Sequence, residues 1–383
     1  MKAAQKGEAI EEGMPFPVRV PLVNLKPSVE AAAPGWRDNL ERMFHRMQFI
    51  TGEQCALFEQ EFAASQEARF AVGTGSGTSA LQLSLRVAGI LKTSQEVILP
   101  ALTSPFTALA VLAAGGVPRF ADVDPDSLLL DANDAQRRVT GRTAAIIPVH
   151  LYGNVCDLRA LGSLARSVGA VLVQDACQAH GAAFHGRPLA DFSVFTAYSF
   201  YPTKNLGALG DGGAVLTNSA AAARGLRLLR DGGRRNDHIS RVAGINSRLD
   251  EMQCCYLRAF LPHLREWNAS RARIANLYDR ALAGCHGIRP VTRSAGSVCH
   301  LYVVRAARRN QLREFLRRRG IATGVHYPVA LHLQPTFRGC GGRRGDFPVV
   351  EKACREIVTL PLWPHLTEAL ACEVAHAVRR FYE

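Results

Sequence analysis

Between residues 70 and 217, short apolar runs alternate with longer stretches of helical periodicity. The seven runs are FAVGT (70–74), EVILP (96–100), PRFADV (118–123), AAIIPVHL (144–151), AVLVQD (170–175), SVFTAYSF (193–200) and GGAVLT (212–217). Runs that are apolar throughout are typical of strands buried on both faces, and the intervening segments supply the covering helices. The alternation predicts a large α/β sheet with helices on both faces.

The rest of the chain predicts a second, smaller unit. A helical pattern runs from about Leu249 to Leu282, and Pro262 should kink it or break it in two. After Gly284 we expect an α+β arrangement. Its predicted elements are a strand at 299–304, a helix at 309–319, a strand at 321–327, a Pro/Gly loop at 328–348 and a helix at 367–382. The predicted organisation is a flexible N-terminal arm (1–20), a large domain (21–255) and a small C-terminal domain (256–383).

The net charge raises the question of a nucleic-acid partner. The 383 residues include 46 Lys+Arg and 33 Asp+Glu, a net charge of +13, yet the arginines are scattered in pairs along the chain. No single basic stripe interleaved with aromatic residues is present. A solvated Arg-rich surface is the favoured interpretation. A phosphate-bearing small substrate comes second, and a nucleic acid or a membrane surface is not expected.

Cysteines and the N-terminus bear on metals and location. The ten cysteines form no C-x-x-C pair and no zinc-like spacing with histidine, so no metal site is predicted. The first twenty residues have no apolar core of a signal peptide and carry three glutamates. A cytoplasmic protein with reduced thiols is therefore the expectation. The uncharged stretch between Glu96 and Arg119 is interrupted by prolines and glycines, which predicts a strand, a loop and a short helix rather than a membrane span.

A glycine-rich turn follows the first predicted strand. The sequence GTGSGTSALQLSLR (73–86) leaves a strand and opens a helix, where converging backbone N–H groups can bind a phosphate. A dinucleotide site is disfavoured because Glu96 opens the next strand instead of closing it. Taken alone, the turn fits a phosphate site and a purely structural turn equally well.

An acid and a lysine are predicted at the same edge of the sheet. Asp175 ends a fully apolar strand, where it could face a ligand or simply cap the turn that follows. Lys204 follows the strand that ends at Phe200 and precedes a glycine-dense stretch. Of the six lysines, it is the only one placed at the carboxyl edge of the sheet, although a surface lysine is the alternative. A lysine there can form a Schiff base if its surroundings lower its pKa.

Together, the phosphate turn, Asp175 and Lys204 match what pyridoxal 5′-phosphate requires. The turn anchors the phosphate, the acid holds the pyridine nitrogen protonated, and the lysine carries the aldehyde as an imine and moves the proton.

The sequence resembles the DegT/DnrJ/EryC1/StrS sugar aminotransferases from about Val20 to Arg380. The motifs that carry the resemblance are GSGTSAL (75–81), IIPVHLYG (146–153), QDACQAHGA (174–182), SFYPTKNLGALGDGGAVLTN (199–218), GINSRLDEMQ (244–253), HLYVVR (300–305) and GVHYPVALHLQP (324–335). The resemblance implies the type I fold of pyridoxal-phosphate transferases, with a mostly parallel seven-stranded sheet in the large domain.

The resemblance also implies roles for individual residues. Lys204 would be the Schiff-base lysine, Asp175 would pair with the pyridinium nitrogen, and Gln178 would lie near the phenolic oxygen of the ring. The phosphate would be held by Gly77, Thr78 and Ser199, and by Asn246 of a neighbouring subunit. His326 and Tyr327 would approach the substrate from the small domain.

Two departures from the family pattern are present. Many relatives carry an aromatic residue after the position of Thr103 that stacks on the cofactor ring, but Ser104 stands here, with Phe106 two residues further on. The stacking residue is therefore left open. Cys177 and the vicinal pair Cys254 and Cys255 stand where relatives usually have alanines, and we expect them to fill core space.

The predicted activity is transfer of an amino group from L-glutamate to a nucleotide-linked keto-deoxysugar in a homodimer. The stretch 246–271 most resembles the branch that aminates dTDP-3-keto-6-deoxyhexoses. Lys204 argues against relatives that replace this lysine by histidine and act as dehydratases. A 4-keto sugar, a cyclitol ketone and a synthase relative stay open as alternatives. A cofactor-bound DNA-binding regulator is the remote one, since no helix-turn-helix extension is present.

Overall fold

The computed structural model describes residues 18–235 and 238–383. Its largest sheet has seven strands: β1 (Phe70–Thr74), β2 (Glu96–Pro100), β3 (Val117–Ala121), β4 (Thr143–Ile146), β5 (Val171–Asp175), β8 (Phe195–Ser199) and β9 (Gly213–Thr217). Across the sheet they lie in the order β1-β9-β8-β5-β4-β2-β3. Strand β9 runs antiparallel to both of its neighbours, and the other pairings are parallel. The seven predicted strands and the mostly parallel sheet are confirmed.

Helices cover both faces of this sheet, as predicted. They are α1 (Lys26–Arg46), α2 (Glu53–Ser65), α3 (Gly77–Val87), α4 (Pro105–Ala114), α5 (Ala132–Arg137), α6 (Leu158–Ser167), α7 (Ala220–Arg230) and α8 (Glu251–Phe260). A two-stranded ribbon, β6 (Ala183–Phe184) and β7 (Arg187–Pro188), lies outside the large sheet. The uncharged stretch after Glu96 forms β2, a loop and α4, as expected. Among the described residues, no helix is both long enough and apolar enough to cross a membrane.

A smaller sheet lies in the C-terminal part of the chain. It consists of β10 (Ile288–Pro290), β11 (Tyr302–Ala306) and β12 (Ile357–Leu360), paired antiparallel in that order. Its helices are α9 (Leu264–Leu282), α10 (Arg309–Arg317), α11 (Pro348–Glu356) and α12 (Glu368–Tyr382). A second hydrophobic core, which includes Tyr278, Val304 and Val374, forms where α9, α10 and α12 meet this sheet.

The predicted strand at 321–327 is wrong. Only two isolated bridges form there, from Ile321 to Val20 and from Gly324 to Thr359. Because Ile321 and Gly324 pair with two different segments, the stretch does not form one continuous strand. The other two strands of the small sheet, β10 and β12, were missed by the sequence analysis.

The helical stretch around Pro262 is broken in two, as predicted. Helix α8 ends at Phe260, a single 3₁₀ turn follows, and α9 begins at Leu264. Within these two helices, the buried apolar residues up to Trp267 pack in the core of the large sheet. The buried apolar residues of α9 from Ile274 to Leu282 pack in the second core. The predicted domain limits of 21–255 and 256–383 stay a prediction.

The N-terminal segment connects to the C-terminal part of the chain. Val20 is fully buried in the second core, and its N–H donates to the carbonyl of Gly320 at 2.9 Å. Further along, the N–H of Leu362 donates to the carbonyl of Leu22 at 3.3 Å. Most of the predicted arm, residues 1–17, lies outside the described residues.

Buried hydrogen bonds fix α2 against α8. The carboxylate of Glu251, which is 1% exposed, accepts N–H groups from Gly52, Gln54 and Cys55 at 2.7–2.9 Å. The first N–H groups of a helix lack partners within the helix, so an anion at this end satisfies them and favours the helix dipole. Glu251 therefore caps α2 from another element.

This cap makes Glu251 a testable determinant of stability. We expect Glu251→Ala to lower the free energy of unfolding by about 3 kcal/mol, because three buried donors lose a charged acceptor. Asp157→Ala is the control, since Asp157 caps α6 by the same chemistry at an exposed site, where the loss is about 1 kcal/mol. Urea denaturation followed by circular dichroism measures both. If both variants lower the free energy of unfolding by the same amount, Glu251 is not the buried cap of α2 that we infer.

Candidate active site

A pocket of about 750 Å³ opens at the carboxyl edge of the large sheet. Parallel strands carry their carboxyl ends to the same edge, and ligands of open α/β sheets bind there. Eight of the nine residues predicted for the site line this pocket: Gly77, Thr78, Asp175, Gln178, Ser199, Lys204, His326 and Tyr327. The structure thus brings together residues that are as far apart as 250 positions in the sequence.

The N-terminus of α3 forms one wall of the pocket. Ser76 caps the helix by accepting the N–H of Ser79 at 3.1 Å, which leaves the N–H groups of Gly77 and Thr78 for a ligand. A Cβ atom on Gly77 would lie 2.7 Å from Cys177 Sγ and from Ser199 Cβ. The backbone of Gly77 therefore approaches the pocket floor at a distance that only glycine permits. The predicted phosphate turn has the required geometry.

The glycine-dense stretch after Lys204 explains that close approach. A Cβ atom on Gly213, the first residue of β9, would lie 2.4 Å from the backbone carbon of Ser76 and 2.7 Å from the nitrogen of Gly77. The missing side chain lets α3 begin directly against the sheet. At Gly213 the close backbone approach therefore depends on the absence of a side chain.

Asp175 lies in the pocket as a buried acceptor. The carboxylate is held by the hydroxyl of Thr107 at 2.8 Å and by the N–H of Cys177 at 3.1 Å. Asp175 is 5% exposed, and Thr107 is 2% exposed. Since Asp175 ends β5, its side chain is directed from the sheet edge into the pocket. These two hydrogen bonds satisfy the carboxylate oxygens and fix their orientation.

Lys204 also lines the pocket and is half-buried. Its backbone N–H donates to the carbonyl of Tyr201 at 2.8 Å, which closes the turn after β8. Burial lowers the pKa of the Lys204 amine below its ordinary value near 10.5, while Cys177 and Asp175 act in the opposite direction. The direction agrees with the expectation for a Schiff-base lysine. Burial also raises the pKa of the Cys177 thiol, which stays protonated.

The predicted substrate residues His326 and Tyr327 lie across the pocket from α3. The Nδ1 atom of His326 lies 2.8 Å from the hydroxyl of Thr359, and burial, followed by the proximity of Lys204, lowers the pKa of His326 to about 4. His326 is therefore neutral at pH 7. The phenol of Tyr327 accepts from Gln178 Nε2 at a long 3.5 Å.

The two residues considered for stacking, Ser104 and Phe106, both line the pocket, and Phe106 is 59% exposed. Thr107, on the same helix as Phe106, bonds to Asp175. The residue that would stack on a ring stays open.

Asn246 does not line the pocket of its own chain. It is exposed and forms an isolated bridge with Asp231. The neighbouring Ser247 accepts the N–H of Gly75 at 2.9 Å, so the segment runs beside the glycine-rich turn. This placement is compatible with the predicted contact across a subunit interface, which stays a prediction.

Four residues that contribute to the site were not found from the sequence. Thr107 holds Asp175, Tyr152 contacts Gln178 and the backbone of His326, and Leu22 and Val23 line the pocket from the N-terminal segment. Tyr152 stands in the motif IIPVHLYG, which was the available signal. No arginine is among the described residues that line the pocket, and Lys204 is the one lysine there.

The comparison with known families decides the identity of the fold. Residues 36–379 match the model of the DegT/DnrJ/EryC1/StrS aminotransferase family. The chain belongs to this family. It is an aminotransferase, and the resemblance carried by the sequence motifs is confirmed.

Two curated relatives illustrate the match within the family. A dTDP-3-amino-3,4,6-trideoxy-alpha-D-glucose transaminase from Streptomyces venezuelae is 42% identical over 367 residues, which cover 95% of this aminotransferase and 97% of the relative. A pleiotropic regulatory protein from Geobacillus stearothermophilus is 38% identical over 369 residues, which cover 95% and 99%.

Solved structures of the family agree with this fold. S. venezuelae DesV in complex with a ketimine intermediate superposes with a TM-score of 0.93 at 41% identity, over 96% of this aminotransferase and 99% of that chain. Bacillus subtilis NtdA with bound cofactor PMP gives a TM-score of 0.87 at 27% identity, over 95% of this aminotransferase and 86% of that chain. The type I transferase fold is thereby shown.

Buried histidines give this aminotransferase a predictable pH dependence. Burial lowers the pKa of His150 to about 4 and that of His180 to about 3. Both groups would titrate near pH 6.5 in the unfolded chain. Between pH ~6.5 and ~4 the unfolded chain binds more protons than the folded one, so stability falls as the pH is lowered through this window.

We expect the melting temperature to fall between pH 7 and pH 5, and His180→Phe to reduce that fall. The ring of His180 lies 5.2 Å from Tyr198 and 5.8 Å from Phe200, so an aromatic replacement suits the site. His376→Phe, at an exposed position of α12, is the control and should keep the wild-type slope. Differential scanning calorimetry across this range is the measurement. If the melting temperature of His180→Phe falls with pH as steeply as that of the wild type, His180 does not contribute to the pH dependence of stability.

Proposed function

We propose that this aminotransferase uses pyridoxal 5′-phosphate to transfer the amino group of L-glutamate to a nucleotide-linked keto-deoxysugar. The preferred acceptor in this proposal is a dTDP-3-keto-6-deoxyhexose. The observation that carries the proposal is the convergence of Lys204, Asp175 and the N-terminus of α3 in one pocket. Its volume of about 750 Å³ lies within the range of small-molecule and cofactor sites.

The residues of the pocket fit the cofactor. The close approach of Gly77 leaves two helix N–H groups for the phosphate, with the hydroxyls of Thr78 and Ser199 beside them. A buried carboxylate and an amine of lowered pKa are the other two groups that the cofactor needs. When bound, pyridoxal phosphate would supply an aldehyde that captures the amine and a ring that withdraws electrons from the adjacent carbon.

The residues of the chain perform the proton steps. In its neutral form, the Lys204 amine would take the proton from the α-carbon of the donor and deliver it to the carbon of the cofactor that carried the aldehyde, and it would act in the reverse direction on the sugar. The Asp175 carboxylate, held by Thr107, would pair with the protonated ring nitrogen of the cofactor. Neutral His326 and Tyr327 can donate to or accept from hydroxyl groups without placing a further charge in the pocket.

The sugar class is supported by the relatives. The S. venezuelae transaminase, 42% identical, is named for a dTDP-linked 3-amino sugar, and it aligns over nearly the full length of both chains. Besides Lys204, Asp175 and Asp211, the pocket is lined by uncharged hydrogen-bonding side chains such as Thr78 and Gln178, which suit a hydroxylated ring.

We expect Lys204→Ala to lower the rate of amino transfer by about 10²–10⁴-fold, because the chain then lacks the group that moves the proton. The assay incubates the protein with pyridoxal phosphate, L-glutamate and a dTDP-3-keto-6-deoxyhexose, and it measures 2-oxoglutarate and amino sugar. The wild type should form the two in equal amounts. Lys352→Ala is the control, since Lys352 lies on α11 with its side chain 63% exposed.

Full activity in Lys204→Ala would overturn the proposed role of the lysine. Amination of only a 4-keto sugar or a cyclitol ketone would keep the reaction and replace the acceptor. Formation of a dehydrated sugar without 2-oxoglutarate would replace the reaction class.

We further propose that the active unit is a homodimer in which Asn246 reaches the phosphate site of the partner. Six apolar side chains, each 44–68% exposed, lie at the end of α1, in the loop between α1 and α2, in the loop between β8 and β9, and at the start of α8: Phe44, Met47, Phe49, Ile50, Leu209 and Met252. The bridge from Ile50 to Asp250 and the bond from the Leu209 N–H to Gln253 bring these segments together. A contiguous apolar patch of this kind marks an interface. A second copy of this chain is the occupant we propose, because Asn246 is exposed and outside the pocket of its own subunit.

Subunit mixing tests this proposal. Lys204→Ala and Asn246→Asp should each be inactive, the second because a carboxylate repels the phosphate. If Asn246 acts across the interface, each hybrid dimer holds one intact site and one doubly damaged site, so mixing and refolding together restores activity. No recovery in hybrids verified by mass spectrometry would place Asn246 in its own subunit's site or outside any site.

A further inference from the structure

Tyr152 joins segments that form separate walls of the pocket. Its backbone N–H donates to Gln178 Oε1 at 2.7 Å, and its hydroxyl donates to the carbonyl oxygen of His326. Its own carbonyl accepts the N–H of Leu301 at 3.3 Å. Gln178, His326 and Leu301 all line the pocket, whereas Tyr152 does not. Tyr152 therefore reaches the pocket only through other residues.

The backbone of Tyr152 is held in a conformation that few residues adopt. Its φ of 62° and ψ of 8° lie in the left-handed region, which costs on the order of 1 kcal/mol for a residue other than glycine. The next residue, Gly153, has a φ of 88°, and a Cβ atom there would lie 2.8 Å from the nitrogen of His300. The turn is thus pressed against the segment that carries His300. Strain of this kind persists where the surrounding structure fixes it.

The hydroxyl of Tyr152 is a buried donor with a single function. Tyr152 is 2% exposed, and burial raises the pKa of its phenol, so the proton stays on the oxygen at neutral pH. The acceptor is the carbonyl of the residue that precedes Tyr327. On the other side of the same segment, the ring of His326 meets the hydroxyl of Thr359 at 2.8 Å. The segment 326–327 is therefore held from two sides by two hydroxyl groups.

We propose that Tyr152 is a positioning residue that sets the distance between Gln178, on the cofactor side, and the 326–327 segment, on the sugar side. This proposal rests on the proposed function for its kinetic consequence. Since one residue contacts both sides, loss of its hydroxyl should loosen the sugar side and leave Asp175 and Lys204 in place. The reaction has two halves, transfer of the amino group from L-glutamate to the cofactor and from the cofactor to the keto sugar. Loss of the hydroxyl should therefore impair the sugar half-reaction and leave the glutamate half-reaction unchanged.

Tyr152→Phe on the full-length protein with pyridoxal phosphate tests the proposal. We expect the KM for the dTDP-keto sugar to rise about tenfold, as for the loss of one buried hydrogen bond. The rate of the glutamate half-reaction and the visible absorbance of the bound cofactor should be unchanged. Hydrogen exchange of the amides at 324–329 should be faster than in the wild type.

Tyr278→Phe is the matched control. Tyr278 is also fully buried, and its hydroxyl donates to the carbonyl of Pro361 at 3.0 Å in the second core. It should lower the melting temperature without changing the KM for the sugar or the exchange at 324–329. Thr359→Val removes the other hydroxyl that holds His326 and provides a second variant, should Tyr152→Phe fold poorly. It should raise the same KM and accelerate the same exchange, and the double variant should deviate from additivity.

Unchanged KM and unchanged exchange in Tyr152→Phe would overturn the proposal. Equal losses in both half-reactions, or the same kinetic change in Tyr278→Phe, would also overturn it, because they would indicate general destabilisation. If the wild type transfers no amino group to any keto sugar, the proposed function fails. The exchange comparison would still decide whether Tyr152 positions the 326–327 segment.

Discussion

The site depends on the contact between the first turn of α3 and the edge of the large sheet. Two glycines make it possible, since a Cβ atom on Gly77 or on Gly213 would overlap the opposing element. With both side chains absent, the helix N-terminus lies at the floor of the pocket, beside Ser199 and across from Asp175. An alanine at either position would separate the helix from the strands. The phosphate cradle would then lose its fixed place relative to the lysine and the acid.

The electrostatics of the pocket follow from burial. Burial lowers the pKa of Lys204, His326 and His300, so these groups tend toward their neutral forms. The carboxylate of Asp175 accepts hydrogen bonds from Thr107 and from the N–H of Cys177. A neutral lysine can accept a proton, and a fixed carboxylate can stabilise a positive charge opposite it. The two groups have different roles because their surroundings differ, although both lie at the same edge of one sheet.

The sequence was informative where the signal is local or periodic. The apolar runs predicted all seven strands of the large sheet, and the positions of Asp175 and Lys204 at strand ends predicted that they would meet. Contacts such as Thr107 with Asp175 could not be predicted, because a hydroxyl in an ordinary helix gives no sign of its tertiary partner. The strand expected at 321–327 failed for a related reason. Ile321 pairs with Val20, and Gly324 pairs with Thr359. The pattern of apolar residues in the sequence does not show with which segment each residue pairs.

The pairing of the N-terminal segment with the C-terminal part of the chain has a consequence for synthesis. Leu22 and Val23 line the pocket, but the carbonyl of Leu22 is bound by the N–H of Leu362, and Val20 packs beside Ile321. This wall of the pocket, made early in synthesis, therefore waits for partners about 300–340 positions later in the sequence. A nascent chain that has already formed the large sheet still lacks a closed site.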